Sequence, residues 1–106
     1  MVNSKRKGAK GELEWAHWLQ DHGHEARRGQ QYTGSTDSPD VVTDMVGFHC
    51  EVKRTERLQL YKALEQAKND AGDKIPYVAH RVSRKPWIVI MYAEDWLTQQ
   101  TTETNA

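Results

Sequence analysis

One cysteine, one phenylalanine and three prolines in 106 residues put several chemistries out of reach. A lone Cys50 cannot close an intrachain disulfide, and without a partner it builds neither a cysteine-based zinc ribbon nor a redox pair. A reducing compartment is therefore expected. The chain has no apolar run of about 18 residues, and MVNSKRKGAKGE has a basic start with no apolar segment behind it. Neither a membrane span nor a signal peptide is expected, and the predicted location is cytoplasmic. Net charge is also missing, because 15 Lys and Arg balance 15 Asp and Glu. That balance removes the simplest sequence mark of a nucleic-acid partner, a strongly basic composition. The length leaves room for one core rather than two.

The neutrality is uneven. Residues 1–28 and 49–74 each carry six basic side chains, whereas 29–48 carry none and hold Asp37, Asp40 and Asp44. Lys5, Arg6, Lys7 and Lys10 are unopposed at the start, either as a solvated arm or as phosphate contacts. The organisation read from this is a basic arm over 1–8, a single domain over 9–99 and a flexible tail over 100–106.

Apolar spacing supplies the elements. From Ala9 to His22, Leu13, Ala16 and Leu19 recur at helical intervals with Trp15 or Trp18 at the margin, and Gly23 stands where a helix stops. GQQYTGSTDS over 29–38 has no apolar period and reads as an exposed loop. Residues 40–44 and 48–53 have strand character and suggest an antiparallel hairpin. A second helix is expected from Leu60 to Ala71, with Leu60, Leu64, Ala67 and Ala71 on one face and Gly72 as its stop. Residues 77–82 and 87–92 read as two buried strands that form most of the core, followed by a short helix, about 93–99, that buries Trp96 and Leu97.

Within the hairpin, alternation puts Phe48, Cys50 and Val52 on one face and His49, Glu51 and Lys53 on the other. If Thr43 pairs with Phe48, Asp40 falls opposite Glu51, with Cβ atoms about 4.5–5.5 Å apart. Two carboxylates that close call for a positive charge between them. A divalent metal supplies it, and oxygen ligands suit magnesium or manganese. Lys53 follows on the same face, within reach of a phosphate or a nucleophilic water.

Pro39-Asp40 followed by Glu51-Val52-Lys53 resembles the signature of the PD-(D/E)xK nuclease superfamily. The likeness is greater to the archaeal-type Holliday junction resolvases and their phage-encoded relatives. Lys7-Gly8 is followed at that family's spacing by Glu12, then by Arg27-Arg28, the loop Thr33-Gly34-Ser35 and Pro39-Asp40. YKALEQAKNDAG and KPWIVIMY also resemble phage members. The match spans roughly residues 7 to 97. It implies an α/β fold with a restriction-endonuclease-like core, in which a central mixed five-stranded sheet is flanked by helices in the order α-β-β-β-α-β-β-α. It also implies that Asp40, Glu51 and the main-chain carbonyl of Val52 ligate Mg²⁺, with Mn²⁺ as a substitute, and that Glu12 contributes through water or to a second ion. Lys53 would orient or deprotonate the attacking water. Thr33 or Ser35 stands for the family's loop serine, and Arg27 or Arg28 for its basic residue.

The activity so implied is magnesium-dependent endonucleolytic hydrolysis of DNA, on Holliday junctions, by a protein of phage or prophage origin in a bacterial host cell. A junction with two-fold symmetry implies a homodimer. The DNA contacts expected are Lys5, Arg6, Lys7, Lys10, Arg27, Arg28 and Arg54. The rival readings are a nicking or repair nuclease of the same superfamily and a DNA-binding module without cleavage, and the complete set Glu12, Asp40, Glu51 and Lys53 argues against the latter. Gln66 is a candidate neighbour of the site. His49 shares the chemical face but is not expected to be a ligand, and Cys50 should be an inert buried thiol. His17, His22 and His24 lack the spacing of helical zinc ligands. The four tryptophans are read as core or interface rather than base-stacking platforms.

Overall fold

The computed structural model describes residues 4–29 and 39–104, with side chains over 8–29 and 39–100. The expected loop hydroxyls of Thr33 and Ser35 lie outside the described residues, as do the side chains of Lys5, Arg6 and Lys7. The elements are α1 (Ser4–Asp21), β1 (Ala26–Arg28), β2 (Val41–Thr43), β3 (Phe48–Arg54), α2 (Leu60–Ala71), β4 (Ile75–Arg81), β5 (Ile88–Ile90) and α3 (Ala93–Thr104). Their order is the expected one. α1 begins at Ser4 and α3 ends at Thr104, so helix extends into both of the terminal segments that were read as irregular.

α1 buries Gly11, Trp15, Ala16 and Leu19, a stripe at intervals of four, one and three. Trp15 therefore takes the central place expected for Leu13, which is exposed. Gly11 belongs to the stripe because α1 crosses β3 there at close range: a Cβ at this position would stand 2.7 Å from Cβ of Arg54. At the helix end Gly23 adopts φ 90°, and the amide of His24 returns to the carbonyl of Leu19 at 3.0 Å, the left-handed stop that glycine makes cheaply. α2 buries Ala63, Leu64, Ala67 and Ala71, while Leu60 stays exposed.

The sheet departs from the expected single five-stranded one. Among the described residues there are two sheets, a β1–β2 pair and a three-stranded β3-β4-β5 sheet. β1 runs antiparallel to β2 with Ala26 opposite Thr43, so Thr43 is not the partner of Phe48. Polar bonds draw β2 to that partner: Asp44 accepts from the amide of Glu25 at 3.3 Å, pairs with His24 at 3.0 Å, and donates its own amide to the carbonyl of Glu25 at 3.2 Å. Beside β3 a backbone ladder gives way to Asp40, whose amide donates to the Cys50 carbonyl at 2.9 Å while its carboxylate takes the Val52 amide at 2.8 Å. A side chain stands where a ladder carbonyl would be.

The second sheet is mixed. β3 and β4 run parallel over seven residue pairs, Phe48↔Ile75 to Arg54↔Arg81, and β5 is antiparallel to β4 at the edge. α1 covers the Cys50 and Val52 face, together with Tyr77 and Ala79. α2 packs Ala63, Leu64 and Ala67 against Val78 on the opposite face. β3 is thus buried on both sides. The other two apolar expectations are corrected: Ile88 and Val89 of β5 are half exposed, and Trp96 and Leu97 of α3 are more than half exposed. β5 is three residues long and lies at the sheet edge, and α3 presents too few apolar side chains to dock on the core.

The two glycines of α1 provide a paired test of close packing. Gly11→Ala should lose about 1–2 kcal/mol in urea unfolding, because overpacking outweighs the gain in helix propensity. Nothing lies within 4 Å of a Cβ on Gly8, so Gly8→Ala should gain up to about 1 kcal/mol.

Candidate functional site

Asp40 precedes β2 and is 9% exposed, fixed at the edge of β3 by the two bonds to Cys50 and Val52. Gly29 donates its amide to the Asp40 carbonyl at 2.8 Å, and a Cβ there would collide with the carbonyl of Pro39. Only glycine permits that approach, so the residue that follows β1 meets the Asp40 segment through backbone alone.

Glu51 comes from the middle of β3 and is 4% exposed. Burial pushes its carboxyl up from the ordinary 4.5 to about 7, against the lowering hydrogen bond from His49 and helped by the neighbouring carboxylate of Asp40. Like charge at close range raises the cost of ionising Glu51. Glu12 reaches the same place from α1. Burial raises its pKa first, the hydrogen bond from Arg28 lowers it, the charge of Asp40 raises it, and the charges of Arg28 and Lys53 lower it. Asp40 therefore acts electrostatically on both Glu12 and Glu51, and Lys53 acts on Glu12.

The cations around the cluster have distinct postures. Arg28 donates from Nε to Glu12 at 3.0 Å, which selects Arg28 rather than Arg27 as the arginine beside the carboxylates. Lys53 directs Nζ to Gln66 of α2 at 3.5 Å, so Gln66 does stand at the site. A groove of about 220 Å³ opens there between β3 and α2, lined by Lys53, Leu58, Gln59, Lys62, Ala63 and Gln66. Arg54 faces away. It pairs with Glu14 at 3.2 Å and Glu56 at 3.5 Å, and Arg81 also bonds Glu14. Lys10 lines the same side, in a cleft of about 270 Å³ with Glu14, Arg54 and Ser83.

Sequence reasoning did not single out Glu14, Arg81 or Asp70. Glu14 ties α1 to the ends of β3 and β4, which keeps Glu12, two residues earlier, at a fixed height along β3. No spacing in the sequence announces this, since Arg54 and Arg81 become neighbours only through the parallel register. Asp70 had a signal. Gln66 and Asp70 are one helical step of four apart, a rise of about 6 Å, which matches the roughly 6.6 Å between alternate residues of a strand. A helix that brings Gln66 to Lys53 brings Asp70 to the neighbourhood of Glu51 and His49, where the structure has it.

The donors fit a divalent cation. Asp40 and Glu51 offer carboxylate oxygens from a water-poor edge, the donor chemistry of hard ions such as magnesium and manganese. The unfavourable proximity of the two carboxylates is the penalty such an ion would relieve. The Val52 amide is engaged by Asp40.

A mixed sheet between helices, with Asp40 at its edge and Glu51-Val52-Lys53 on the adjoining strand, defines a nuclease of the PD-(D/E)xK superfamily. The family model of the archaeal Holliday junction resolvase, Hjc, matches residues 3–104. The chain belongs to that family, whose members are DNA endonucleases. Its fold is similar to the solved structure of Hjc, a Holliday junction resolvase from the archaeal hyperthermophile Archaeoglobus fulgidus, with a TM-score of 0.59 and 25% identity, covering 80% of this chain and 72% of that one. No curated protein matches the sequence.

The raised pKa of Glu51 fixes a pH dependence. Between the ordinary 4.5 and about 7 the folded metal-free chain holds a proton that the unfolded chain has released, so stability falls as pH rises through that window. Thermal unfolding in chelator should show a Tm that declines from pH 5 to pH 7.5, with a flatter profile in Glu51→Gln. Added Mg²⁺ should raise Tm more at pH 7.5 than at pH 5, because a ligand must lose its proton before it binds.

Proposed function

We propose that this chain is a divalent-metal-dependent endonuclease that resolves four-way DNA junctions as a homodimer, encoded by a phage or prophage and acting in the cytoplasm of a bacterial host. The observation that carries the reading is the convergence of Glu12, Asp40, Glu51 and Lys53 from α1, the β2 approach and β3, in a chain of the Holliday junction resolvase family. Asp40, Glu51 and the Val52 carbonyl would hold magnesium, with manganese as the substitute, and Glu12 would act through water. The ion, when bound, polarises the scissile phosphate and offsets charge that develops in the transition state.

The protein's own groups do the rest. Lys53 reaches into the groove beside α2, where it orients the attacking water and meets the phosphate charge. Gln66 limits the freedom of its ammonium. Arg28 binds Glu12 and stands where a second phosphate oxygen would approach. Lys5, Arg6, Lys7 and Lys10 on α1 and Arg27 on β1 supply the sequence-independent backbone attraction that dominates DNA affinity. Arg54 was expected among these contacts, and its engagement with Glu14 and Glu56 makes it the weakest of them. Exposed Ile88, Val89, Trp96 and Leu97 along an edge strand and the following helix support a second copy of the chain as partner. Unpaired strand edges and apolar surface of this kind invite association.

The discriminating experiment incubates the protein with linear duplex, single-stranded, flap and four-way junction DNA, with and without Mg²⁺. Junction-selective, metal-dependent cutting is expected. Equal cutting of all four would remove the resolvase reading, and tight binding without cleavage in any divalent ion would remove the nuclease reading. Asp40→Asn should reduce cleavage at least a hundredfold while junction binding in gel shifts stays equal or tightens. Trp96→Glu should shift sedimentation from dimer to monomer and abolish paired cuts in opposed strands.

A further inference from the structure

The buried face of β3 carries one chemically capable group for which phosphodiester cleavage at Asp40 has no use. His49 is 2% exposed, and it shares its face with Glu51 and Lys53 by strand alternation. Across from it, α2 presents half-buried Asp70. Ligand atoms of His49, Glu51 and Asp70 all lie within 4.8 Å of one another. We propose that these three residues form a second divalent-cation site, selective for manganese or zinc over magnesium, which shares Glu51 with the Asp40 site. The sharing rests on the metal-dependent nuclease reading; the binding of an ion by His49 and Asp70 does not.

Three observations carry it. The first is distance. His49 Nε2 stands 3.4 Å from Glu51 Oε1, long for a charge-assisted hydrogen bond, which closes to about 2.7–2.9 Å. Two ligands on one ion, each about 2.1 Å from the metal, are separated by roughly 3.0–3.4 Å at octahedral or tetrahedral angles. The pair is therefore spaced as co-ligands.

The second observation is charge. Among the described residues, no lysine or arginine lies within ion-pair distance of Glu51 or Asp70. Lys53, the nearest cation along the strand, turns to Gln66 instead. A buried carboxylate with no lysine or arginine beside it is costly, and a divalent ion held jointly with His49 supplies positive charge there.

The third is donor type. Magnesium takes oxygen and keeps its waters, whereas an imidazole nitrogen suits manganese, zinc and their neighbours. One nitrogen and two carboxylates make this site distinct from the all-oxygen donors at Asp40. The partial exposure of Asp70 gives the ion an entry path from solvent.

Metal-free full-length protein should be titrated with MnCl₂, with bound ion counted by electron paramagnetic resonance and nitrogen ligation read as ¹⁴N modulation in the pulsed spectrum. Two Mn²⁺ per chain are expected, one of them ¹⁴N-coupled and resistant to displacement by excess Mg²⁺. Asp70→Asn should weaken the ¹⁴N-coupled ion at least tenfold, and His49→Gln should remove the modulation. Asp70 is half-buried near the end of α2, so its variant serves if the buried His49 substitution fails to fold, which circular dichroism reports. Asp40→Asn should lose the other ion and cleavage yet keep the ¹⁴N-coupled one. A single Mn²⁺ without nitrogen modulation, or an Asp70→Asn protein that binds two ions with wild-type affinity, would overturn the proposal, with His49 then serving only as the hydrogen-bond partner of Glu51. Cleavage that fails while the ¹⁴N-coupled ion persists would count against the nuclease reading alone.

Discussion

Two parallel strands cannot be joined by a tight turn, so the pairing of β3 with β4 over seven residues requires a crossover that returns the chain to its starting end,. That crossover is α2, and it lies over the face of β3 that carries His49, Glu51 and Lys53. The surroundings of Glu51, Lys53 and Asp70 follow from this cover. Glu51 is buried because a helix sits on it, Lys53 meets Gln66 because the helix runs alongside the strand, and Asp70 falls beside His49 one helical step further on. α1 closes the opposite face over Cys50 and Val52, where burial pushes the Cys50 thiol well above its ordinary range and leaves it unreactive,. Asp40 stands at the strand edge between the two covers, the one place where a carboxylate from α1 and another from the α2 side can converge.

The alternation of β3 was legible from sequence, and so were the helices that bracket it and the order of elements. What alternation could not tell was whether the polar face looks at water. Glu-x-Lys on a half-buried strand and Glu-x-Lys under a crossover helix read identically. The hairpin failed for a related reason: adjacency along the chain favours β2 with β3, while the bonds of Asp44 to His24 and Glu25 take β2 to β1. Asp40 and Glu51 came together all the same, through the Asp40 side chain rather than through a ladder.

Apolar periodicity misjudged positions where size, not hydrophobicity, decides. Gly11 contributes nothing to a hydrophobic count, yet its missing side chain brings α1 onto β3 and so rotates Trp15 inward and Leu13 outward. At the other end of the chain, Val89 and Trp96 are as apolar as any core residue but stay exposed. Sequence marks such residues as needing cover without saying whether the cover is the chain's own core or a neighbouring copy.

Neutrality overall conceals a local surplus of negative charge. Arg54 and Arg81 are spent on Glu14 and Glu56, and Asp44 has His24. Among the described residues, Arg28 bonds Glu12 and His49 stands 3.4 Å from Glu51. Setting the site carboxylates of Glu12, Asp40 and Glu51 aside leaves twelve acidic against fifteen basic side chains, so the rest of the molecule is mildly attractive to DNA while its centre repels phosphate. Like charges at close range repel more strongly in a water-poor site than in open solvent. Arg28 is the cation bonded directly to one of these carboxylates, Glu12, at 3.0 Å, so the charge of α1's site residue is offset from β1 rather than from its own helix.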